Sequence, residues 1–290
     1  MNIKDLEIFL VLASTENMQQ ASIICNKTPS MLSKSLKRLE VSLEVKLFDR
    51  IGKSIKLNAA GLKLRINAAK IVAQAKQTFA ECSGIGGAHD YTIAAPSILL
   101  FRWASVLSKS LQNHNAHSKV IFNTHFEGQA LEQLIHGLAD IAVITSNLAN
   151  QIPEDMHSVA LGVLNMQVAA GKNHPLVNGG ASGFVEVSAE QLLVHPFVSP
   201  SISPYCGQAR GIGCDGWRND LFPRQLKIEV NDYSVLGQLV RSGQALAYLP
   251  DYWVRELELI QLQIKNFDYV YQEKLLLVSY QSDLIDLFKP

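Results

Sequence analysis

The first 57 residues carry a hydrophobic pattern that predicts three helices followed by a hairpin. Apolar residues recur at steps of three and four over residues 3–13, 18–24 and 32–43, which is the spacing of amphipathic helices. Two short extended segments follow within residues 45–57. A short helix, a tight turn and a longer basic helix form a helix-turn-helix arrangement, and the hairpin would be its wing.

The third helix is predicted to have one apolar face and one polar face. Thr28 can cap its start, and Pro29 suits its first position. The apolar stripe consists of Leu32, Leu36, Leu39 and Leu43. The opposite face carries hydroxyls and cations but no carboxylate, on Ser30, Ser33, Lys34 and Lys37, with Arg38 at its edge. Such a face suits phosphates and base edges in a major groove, although a solvated helix over a leucine core has the same composition.

Positions spread over the whole segment carry a family likeness. They are Leu6 through Phe9, Ala21, Thr28-Pro29-Ser30, Ser33, Leu39-Glu40, Leu47-Phe48, Arg50 and Leu57 through Gly61. In combination they resemble the winged helix-turn-helix of the LysR-type transcriptional regulators, and the remaining chain resembles that family's ligand-binding domain more loosely. The resemblance implies a fold that is α/β overall. It would consist of a mostly α N-terminal winged helix-turn-helix, a long linker helix, and a C-terminal two-lobed, periplasmic-binding-protein-like α/β effector domain.

The resemblance also implies a sequence-specific, DNA-binding transcriptional regulator that is controlled by a small-molecule effector between the lobes. The expected partners are double-stranded DNA and a second copy of the chain, in a dimer or a dimer of dimers, with RNA polymerase as a further candidate. Ser30, Met31, Ser33 and Lys34 should lie nearest base edges. The residues expected to contact DNA are Thr28, Pro29, Ser30, Met31, Ser33, Lys34, Lys37, Arg38, Arg50, Lys53 and Ser54.

The net charge of the chain is zero, but the charges are unevenly distributed. Residues 1–82 contain 13 Lys/Arg against 7 Asp/Glu, a net charge of +6, and residues 83–290 contain 13 against 19, a net charge of −6. A basic N-terminal segment followed by an acidic remainder is the charge distribution expected of a DNA-binding module attached to a domain that does not bind DNA.

A long helix is predicted after the hairpin, from a cap at Asn58 to about Glu81, with apolar residues on two sides. One partner would be its own winged domain. The other, by the resemblance, would be the same helix of a second subunit, and packing entirely within one chain is the alternative. Three glycines within residues 83–87 predict a joint. The predicted domains are therefore 1–58, 59–87 and 88–290.

From Tyr91 onward, short apolar segments alternate with amphipathic ones, which predicts a parallel α/β sheet. Two adjacent strands are expected near residues 159–164 and 167–171, and a final helix at 283–288. By the resemblance, one lobe would span about 90–162 plus 268–290 and the other about 163–267.

Ligands of open α/β sheets bind beyond the carboxyl ends of the strands. The effector-binding residues predicted on this basis are Pro96, Ser97, Ile98, Phe126, Glu127, Thr145, Ser146, Pro200, Ser201, Asn231 and Asp232. Ser97 begins a helix, where backbone N–H groups could hold a carboxylate or phosphate; simple capping of the helix is the alternative. Glu127 would disfavour an anion if it lay in the cleft, so the charge of the ligand stays open.

Cys206 and Cys214 lie eight positions apart in a glycine-rich loop, with Arg210 between them to lower a thiol pKa. Peroxide-sensing LysR-type regulators use a similarly spaced pair in this region, so a redox-sensing regulator is an alternative function. Two ordinary loop thiols are the other interpretation. Cys25 and Cys82 are expected to be core or linker residues.

The chain has no GxSxG or P-loop motif and no paired metal-ligand spacing. No catalytic residue, metal ligand or cofactor is therefore predicted. There is no basic leader segment and no apolar run of about 20 residues, so a cytoplasmic protein is expected. The competing class is a cytosolic small-molecule binding protein without DNA function, against which the carboxylate-free face of the third helix speaks.

Overall fold

The computed structural model describes residues 1–51, 54–82, 90–177, 184–209, 213–267 and 269–289, apart from the side chains of Ile51, Ser54, Ile66, Gln77 and residues 80–82. The helices are α1 (Ile3–Thr15), α2 (Met18–Cys25), α3 (Pro29–Leu43), α4 (Ala59–Cys82), α5 (Ser97–His114), α6 (Glu127–Ile135), α7 (Ala189–Leu193), α8 (Tyr233–Arg241), α9 (Asp251–Glu256) and α10 (Ser282–Asp286). The strands are β1 (Phe48–Ile51), β2 (Ser54–Leu57), β3 (Tyr91–Ala95), β4 (Val120–Thr124), β5 (Ile141–Thr145), β6 (His157–Ala170), β7 (Phe184–Val187), β8 (Pro196–Pro200), β9 (Gln225–Val230), β10 (Ala247–Pro250), β11 (Ile260–Ile264) and β12 (Gln272–Ser279). The predicted joint at 83–87 lies outside the described residues.

The three N-terminal helices begin where the sequence predicts, because their caps are local. The Asn17 side chain accepts hydrogen bonds from the Gln19 and Gln20 amides, at 2.9 and 3.1 Å, at the start of α2. Thr28 accepts from the Met31 amide at 3.3 Å at the start of α3. The core beneath these helices is formed by buried side chains that include Leu6, Phe9, Leu12, Ala21, Leu32 and Leu39.

Two glutamates attach the wing to the helices. β1 and β2 pair antiparallel. The Glu40 carboxylate on α3 accepts from the Leu47 amide at 3.0 Å and from Lys46 Nζ at 2.7 Å. Glu16, after α1, accepts from the Leu57 amide at 3.0 Å. The wing is thereby held at a set angle to α3.

The linker helix α4 packs first against its own winged domain. Ala68, Ala69 and Val72 are buried in the same core as α1. Gly61 sits so close to the wing that a Cβ would lie 2.2 Å from the Leu47 carbonyl oxygen. A side chain at this position would therefore push α4 away from the wing.

The same helix also contacts the C-terminal domain of its own chain. Lys70 pairs with Asp155 at 2.7 Å and Lys76 with Asp140 at 3.3 Å. Gly137 has a φ of 70°, and a Cβ there would lie 3.1 Å from a Leu10 methyl and 3.3 Å from Ala69. The C-terminal domain thus packs against both α1 and α4.

The C-terminal domain is built on a sheet with the strand order β4-β3-β5-β12-β6-β11-β7, and β10 also pairs with β6. β3 is parallel to β4 and β5, whereas β12 is antiparallel to β5 and β6. β8 and β9 form a separate parallel pair. The predicted α/β architecture is confirmed. The prediction of a parallel sheet was wrong in part, because β12 and β6 run antiparallel to the strands they pair with.

The prediction of two strands near 159–164 and 167–171 was wrong. β6 is one strand of 14 residues that pairs with β12 in its first part and with β10 and β11 in its second. A register shift opposite Leu275 and Leu276, with Gly162 at φ 137°, bends the strand without ending it. The sequence analysis also missed β7, α9 and β11, which are each six residues or shorter. It predicted the last helix at 283–288, whereas α10 spans Ser282–Asp286.

Candidate nucleic-acid interface and effector cleft

The polar face of α3 is exposed as predicted from its spacing. Ser30, Ser33, Lys34 and Lys37 are all exposed, and Met31 is 50% exposed. Leu32 and Leu39 on the opposite face are buried. The helix therefore presents hydroxyls, a thioether and two ammonium groups to solvent.

A surface hollow of about 310 Å³ separates this face from the wing. It is lined by Met18, Ser33, Leu36, Lys37, Glu40, Lys46, Phe48, Arg50 and Ile55. The structure thus brings three predicted residues, Ser33, Lys37 and Arg50, around one concavity. Lys46 is an exposed cation at this edge that the sequence analysis missed, although its position directly before the hairpin was a usable signal.

Arg38 lies at the edge of the polar face and has an intramolecular partner. Its Nη2 and Nε donate to the Asp5 carboxylate at 2.6 and 3.2 Å. The buried Ser35 hydroxyl donates to the same carboxylate. These hydrogen bonds hold the pKa of Asp5 below its ordinary value, with the Arg38 guanidinium as the largest cause. The Arg38 side chain as a whole is 66% exposed, so the ion pair does not bury it.

The remaining predicted DNA contacts have mixed placements. Thr28 and Pro29 are exposed at the start of α3, where the Thr28 hydroxyl is used as a cap. Arg50 is exposed on β1. Lys53 and the side chain of Ser54 lie outside the described residues.

Four of the predicted effector residues line one cleft in the C-terminal domain. These are Pro96, Ser97, Phe126 and Asn231, around a cavity of about 180 Å³. The lining residues that sequence reasoning missed are Thr124, His125, Gln129, Ile202, Pro204 and Tyr233. Three of these, His125, Ile202 and Tyr233, directly precede or follow a predicted residue, and the other three lie two or three positions away from one.

Ile98, Glu127 and Thr145 are buried instead of lining the cleft. Ile98 belongs to the hydrophobic core, and its carbonyl accepts from the Tyr252 hydroxyl. The Glu127 carboxylate accepts from the Thr145 amide at 3.1 Å and from the Thr145 hydroxyl at 2.6 Å. A buried carboxylate needs such donors, so Glu127 ties α6 to the end of β5 and turns its charge away from the cleft.

The last predicted effector residues have structural contacts of their own. Asp232 caps α8 by accepting from the Ser234 and Val235 amides, at 2.6 and 3.2 Å, and these amides lower its pKa. The Ser201 hydroxyl donates to the Asn231 amide oxygen. Pro200 is buried at the end of β8, and Ser146 starts a short 3-10 helix after β5.

Segments on two sides of the cleft contact each other. The Glu127 amide donates to the Tyr205 carbonyl at 2.9 Å. The Phe126 ring lies against Gly207, where a Cβ would be 2.5 Å from ring carbons. These contacts join the start of α6 to the loop that follows β8.

That loop also carries the two predicted cysteines. Cys206 is half-buried beside Gly207. Cys214 is buried, and its Sγ donates to the Ser201 carbonyl at 3.3 Å. Next to it, Asp215 makes a buried bidentate ion pair with Arg224, at 2.7 and 3.1 Å, which anchors this end of the loop. Arg210 and the Cys82 side chain lie outside the described residues.

Among the described residues, no group of three His, Cys, Asp or Glu side chains could hold a metal ion. No helix of the described chain combines the length and the apolar character needed to cross a bilayer.

Two protein-family models match the chain and together cover nearly all of it. The model described as "Bacterial regulatory helix-turn-helix protein, lysR family" matches residues 3–62, and "LysR substrate binding domain" matches residues 86–284.

Individual relatives agree with these matches. The "Uncharacterized HTH-type transcriptional regulator YwqM" of Bacillus subtilis is 24% identical over 260 residues, which cover 88% of this chain and 84% of the relative. Among solved structures, a full-length OxyR variant from Pseudomonas aeruginosa gives a TM-score of 0.67 at 16% identity, covering 99% of this chain and 93% of that one. LysG from Corynebacterium glutamicum with the bound effector Arg gives 0.60 at 19% identity, covering 99% and 96%. These two structures show the shared fold.

Proposed function

The chain belongs to the LysR family of bacterial transcriptional regulators, DNA-binding proteins with an effector-binding domain. From that premise we propose which of its residues contact DNA, a second subunit and the effector. α3 enters a major groove with Ser30, Met31, Ser33 and Lys34 towards base edges. Lys34, Lys37 and Arg50 bind phosphates on either side, together with Lys53 of the wing. The observation that carries this assignment is the hollow shared by Ser33, Lys37 and Arg50.

Arg38 is proposed as a phosphate ligand of a different kind. Its Nε and Nη2 already donate to Asp5, so it would contact a phosphate with the remaining N–H groups of the guanidinium. We expect it to contribute more to the orientation of α3 than to DNA affinity.

The protein acts on DNA as a dimer or a dimer of dimers, as members of this family form oligomers. We propose α4 as the contact between subunits. A groove of about 480 Å³ along this helix is lined by Ile3 of α1 and by Ile71, Gln74, Ala75, Thr78 and Phe79 of α4. A second copy of α4 would cover this apolar surface and place two α3 helices on neighbouring half-sites.

The effector is proposed to bind in the cleft lined by Ser97, Phe126 and Asn231. It changes transcription only to the extent that it binds one subunit arrangement better than another. The protein works in the cytoplasm, where its DNA lies, and acts by binding, without converting the effector.

A redox-sensing regulator is the second candidate function. The observation that favours it is that Cys206 and Cys214 lie in the loop that touches Phe126 through Gly207. A disulfide between them would pull this loop and so change the cleft. The buried position of Cys214 makes this route slower than for an exposed thiol.

The test of DNA binding is a gel shift with the region upstream of the protein's own gene, at two salt concentrations. Specific, salt-sensitive retardation is the expected result. If competitor DNA abolishes the retardation, binding to this region is non-specific, and the specific site has to be sought in other promoters. Absence of any retention at low salt would contradict the proposal and favour a small-molecule binding protein without DNA function.

A further inference from the structure

We propose that the hollow between α3 and the wing binds one deoxyribose-phosphate unit of the DNA backbone as a whole, with the phosphate between Lys37, Lys46 and Arg50 and the sugar against Phe48 and Ile55. The site makes Lys46 a DNA ligand and distinguishes deoxyribose from ribose at one position. This inference rests on the proposed function, because it describes how the same DNA is held.

The first observation is the set of polar groups around the hollow. Ser33 and Lys37 reach it from α3, Arg50 from β1, and Lys46 from the segment that joins α3 to the wing. All four residues are exposed. Because the three cations come from different elements and line one concavity, a phosphate placed there is attracted from several sides at once.

The carboxylate that lines the hollow, on Glu40, already has partners within the protein. It accepts from the Leu47 amide at 3.0 Å and from Lys46 Nζ at 2.7 Å. The Glu40 side chain is only 10% exposed, whereas that of Lys46 is 75% exposed. An ion pair with so exposed a lysine contributes little to stability. Lys46 can therefore turn to a phosphate while the Leu47 amide continues to hold Glu40.

The second observation is that another part of the hollow is apolar and fixed. Phe48 is buried in the core of the winged domain, where its ring meets Phe9 edge-on with the centroids 5.8 Å apart. Met18, Leu36 and Ile55 are half-buried and pack against the same core. These side chains are held in place before DNA binds, and they present hydrocarbon to the hollow.

The third observation is the size of the hollow. A volume of about 310 Å³ equals roughly the space of ten water molecules. A phosphate alone would leave much of this space as water over apolar side chains. The C–H groups of the attached sugar would displace that water, which is favourable on an apolar surface. The hollow therefore suits a phosphate together with its deoxyribose.

The position of the hollow agrees with the path of a DNA strand. With α3 in the major groove and the wing beside it, the strand at the edge of the groove passes between the two elements. Met18, at the start of α2, lines the hollow as well. Three elements of the winged domain thus surround the place where one nucleotide of the backbone would lie.

A ribose at this position would carry an additional hydroxyl at C2′. Against Phe48 and Ile55 that hydroxyl would lose its water without gaining a hydrogen-bond partner, which is costly. The 2′-hydroxyl is the group by which proteins distinguish RNA from DNA. The apolar side chains of the hollow therefore select for deoxyribose.

The experiment uses the full-length protein and a specific duplex that it selects in vitro from a random library. Each phosphate of this duplex is replaced in turn by an uncharged methylphosphonate, and affinities are measured by gel shift. We expect one phosphate in each half-site at which the replacement weakens binding of the parent about tenfold. At that same phosphate, Lys46→Gln and Arg50→Gln should lose little further affinity, because their contact is already missing.

Lys56→Gln is the matched control. Lys56 is an exposed lysine of the wing that pairs with Glu16 and is not among the residues that line the hollow. This variant should keep the full effect of the methylphosphonate. If Lys46→Gln and Arg50→Gln suppress the effect at different phosphates, or if either leaves it intact everywhere, the hollow is not a single phosphate site and the proposal is overturned.

The position of the sugar is tested at the two nucleotides that flank this phosphate. At one of them a ribonucleotide should weaken binding about tenfold. A 2′-fluoro nucleotide, which has a similar sugar pucker but no hydroxyl, should bind like the unmodified one. Ile55→Thr adds a hydroxyl to the hollow and should narrow the difference. Equal binding of ribose and deoxyribose by the parent, or a difference that Ile55→Thr leaves unchanged, would refute the sugar contact.

The unmodified duplex separates failure of the site from failure of the proposed function. If the protein binds this duplex but no phosphate is coupled to both Lys46 and Arg50, the site is wrong and the regulator remains. If the selection returns no duplex and no DNA is retained at low salt, the proposed function itself fails.

Discussion

Asp5 on α1 holds Arg38 on α3 through two hydrogen bonds, from Nη2 at 2.6 Å and from Nε at 3.2 Å. The residues are 33 positions apart, and the buried Ser35 hydroxyl donates to the same carboxylate. A basic residue on the predicted DNA-reading helix thus also fixes the angle of that helix on α1. Arg38 therefore has a structural contact within the domain in addition to its proposed DNA contact. This distinguishes it from Lys37, the preceding residue.

The first prediction concerns stability. Asp5→Asn should lower the urea midpoint of unfolding at neutral pH, because Arg38 and Ser35 lose a charged acceptor. Since the pKa of Asp5 is lower in the folded protein, its contribution is present above the unfolded pKa of about 4 and is lost as the pH falls through the folded value. Midpoints measured from neutral to acid pH should therefore converge for parent and variant. A constant difference would argue against a role for the charge.

The second prediction concerns DNA affinity. Lys37→Ala should weaken binding to all sequences and reduce the slope of log K against log salt by about one, as expected when one phosphate contact is lost. Lys109→Ala is the control, since Lys109 is an exposed lysine on α5. A slope that stays the same in Lys37→Ala would remove this residue from the phosphate contacts. Arg38→Ala should reduce the slope less and the stability more.

The third prediction follows from the end of α3. Glu44 has a φ of 55°, and the Val45 amide donates to the Glu40 carbonyl at 3.2 Å, as in a Schellman motif. Glu44→Gly should raise the free energy of unfolding by about 1 kcal/mol, because glycine adopts this conformation without strain.

Glu44→Ala distinguishes strain from charge in that experiment. The alanine variant removes the carboxylate from the negative end of the helix dipole but keeps a Cβ in the left-handed region. It should gain less stability than the glycine variant. Equal gains in denaturant titrations would show that charge, and not backbone strain, is the cause.

The fourth prediction is a pH dependence centred on His174. The ring is buried and lies 4.8 Å from the His195 ring, and its Nδ1 accepts from the Leu176 amide. Burial, with a smaller effect of His195, lowers the pKa of His174 from 6.5 to about 4. The unfolded chain therefore binds the proton more readily, and stability should fall as the pH drops from 6.5 towards 4.

The measurement is a set of denaturant titrations across this pH window. His174→Gln should flatten the decline, because glutamine can still accept from Leu176 but does not titrate. His117→Gln, at an exposed position, should leave the decline unchanged. A decline of the same steepness in all three proteins would rule out His174 as its source.

The fifth prediction separates the two candidate functions. If a small ligand alone controls the protein, Cys206→Ser should respond like the parent, and treatment with peroxide should not change the number of titratable thiols. If the protein senses peroxide, the parent should lose two thiols with formation of a Cys206–Cys214 disulfide, and the variant should be insensitive. Thiol counting with mass spectrometry of the loop peptide decides between these outcomes.

Local features of the sequence were sufficient for the helices of the first domain and for most of the α/β domain. Caps such as Asn17 and Thr28, and the spacing of Leu32, Leu36 and Leu39, depend on residues two to four positions apart. They also determined which face of α3 is polar, and the family likeness that the matched models confirm. The boundaries of the domains and the individual contacts to DNA and effector remain predictions.

Only the tertiary structure decided which charged groups are available to partners. Glu127 was expected at the cleft but points to Thr145, 18 residues away, and Arg38 is shared with Asp5. Tyr233 was not predicted at all, because nothing local distinguishes a core tyrosine from one that lines a cavity. Periodicity gives the face on which a side chain lies. The hydrogen-bond partner of that side chain depends on which distant segments the fold brings near it. A polar group is stable when buried only if such a segment supplies a donor or acceptor.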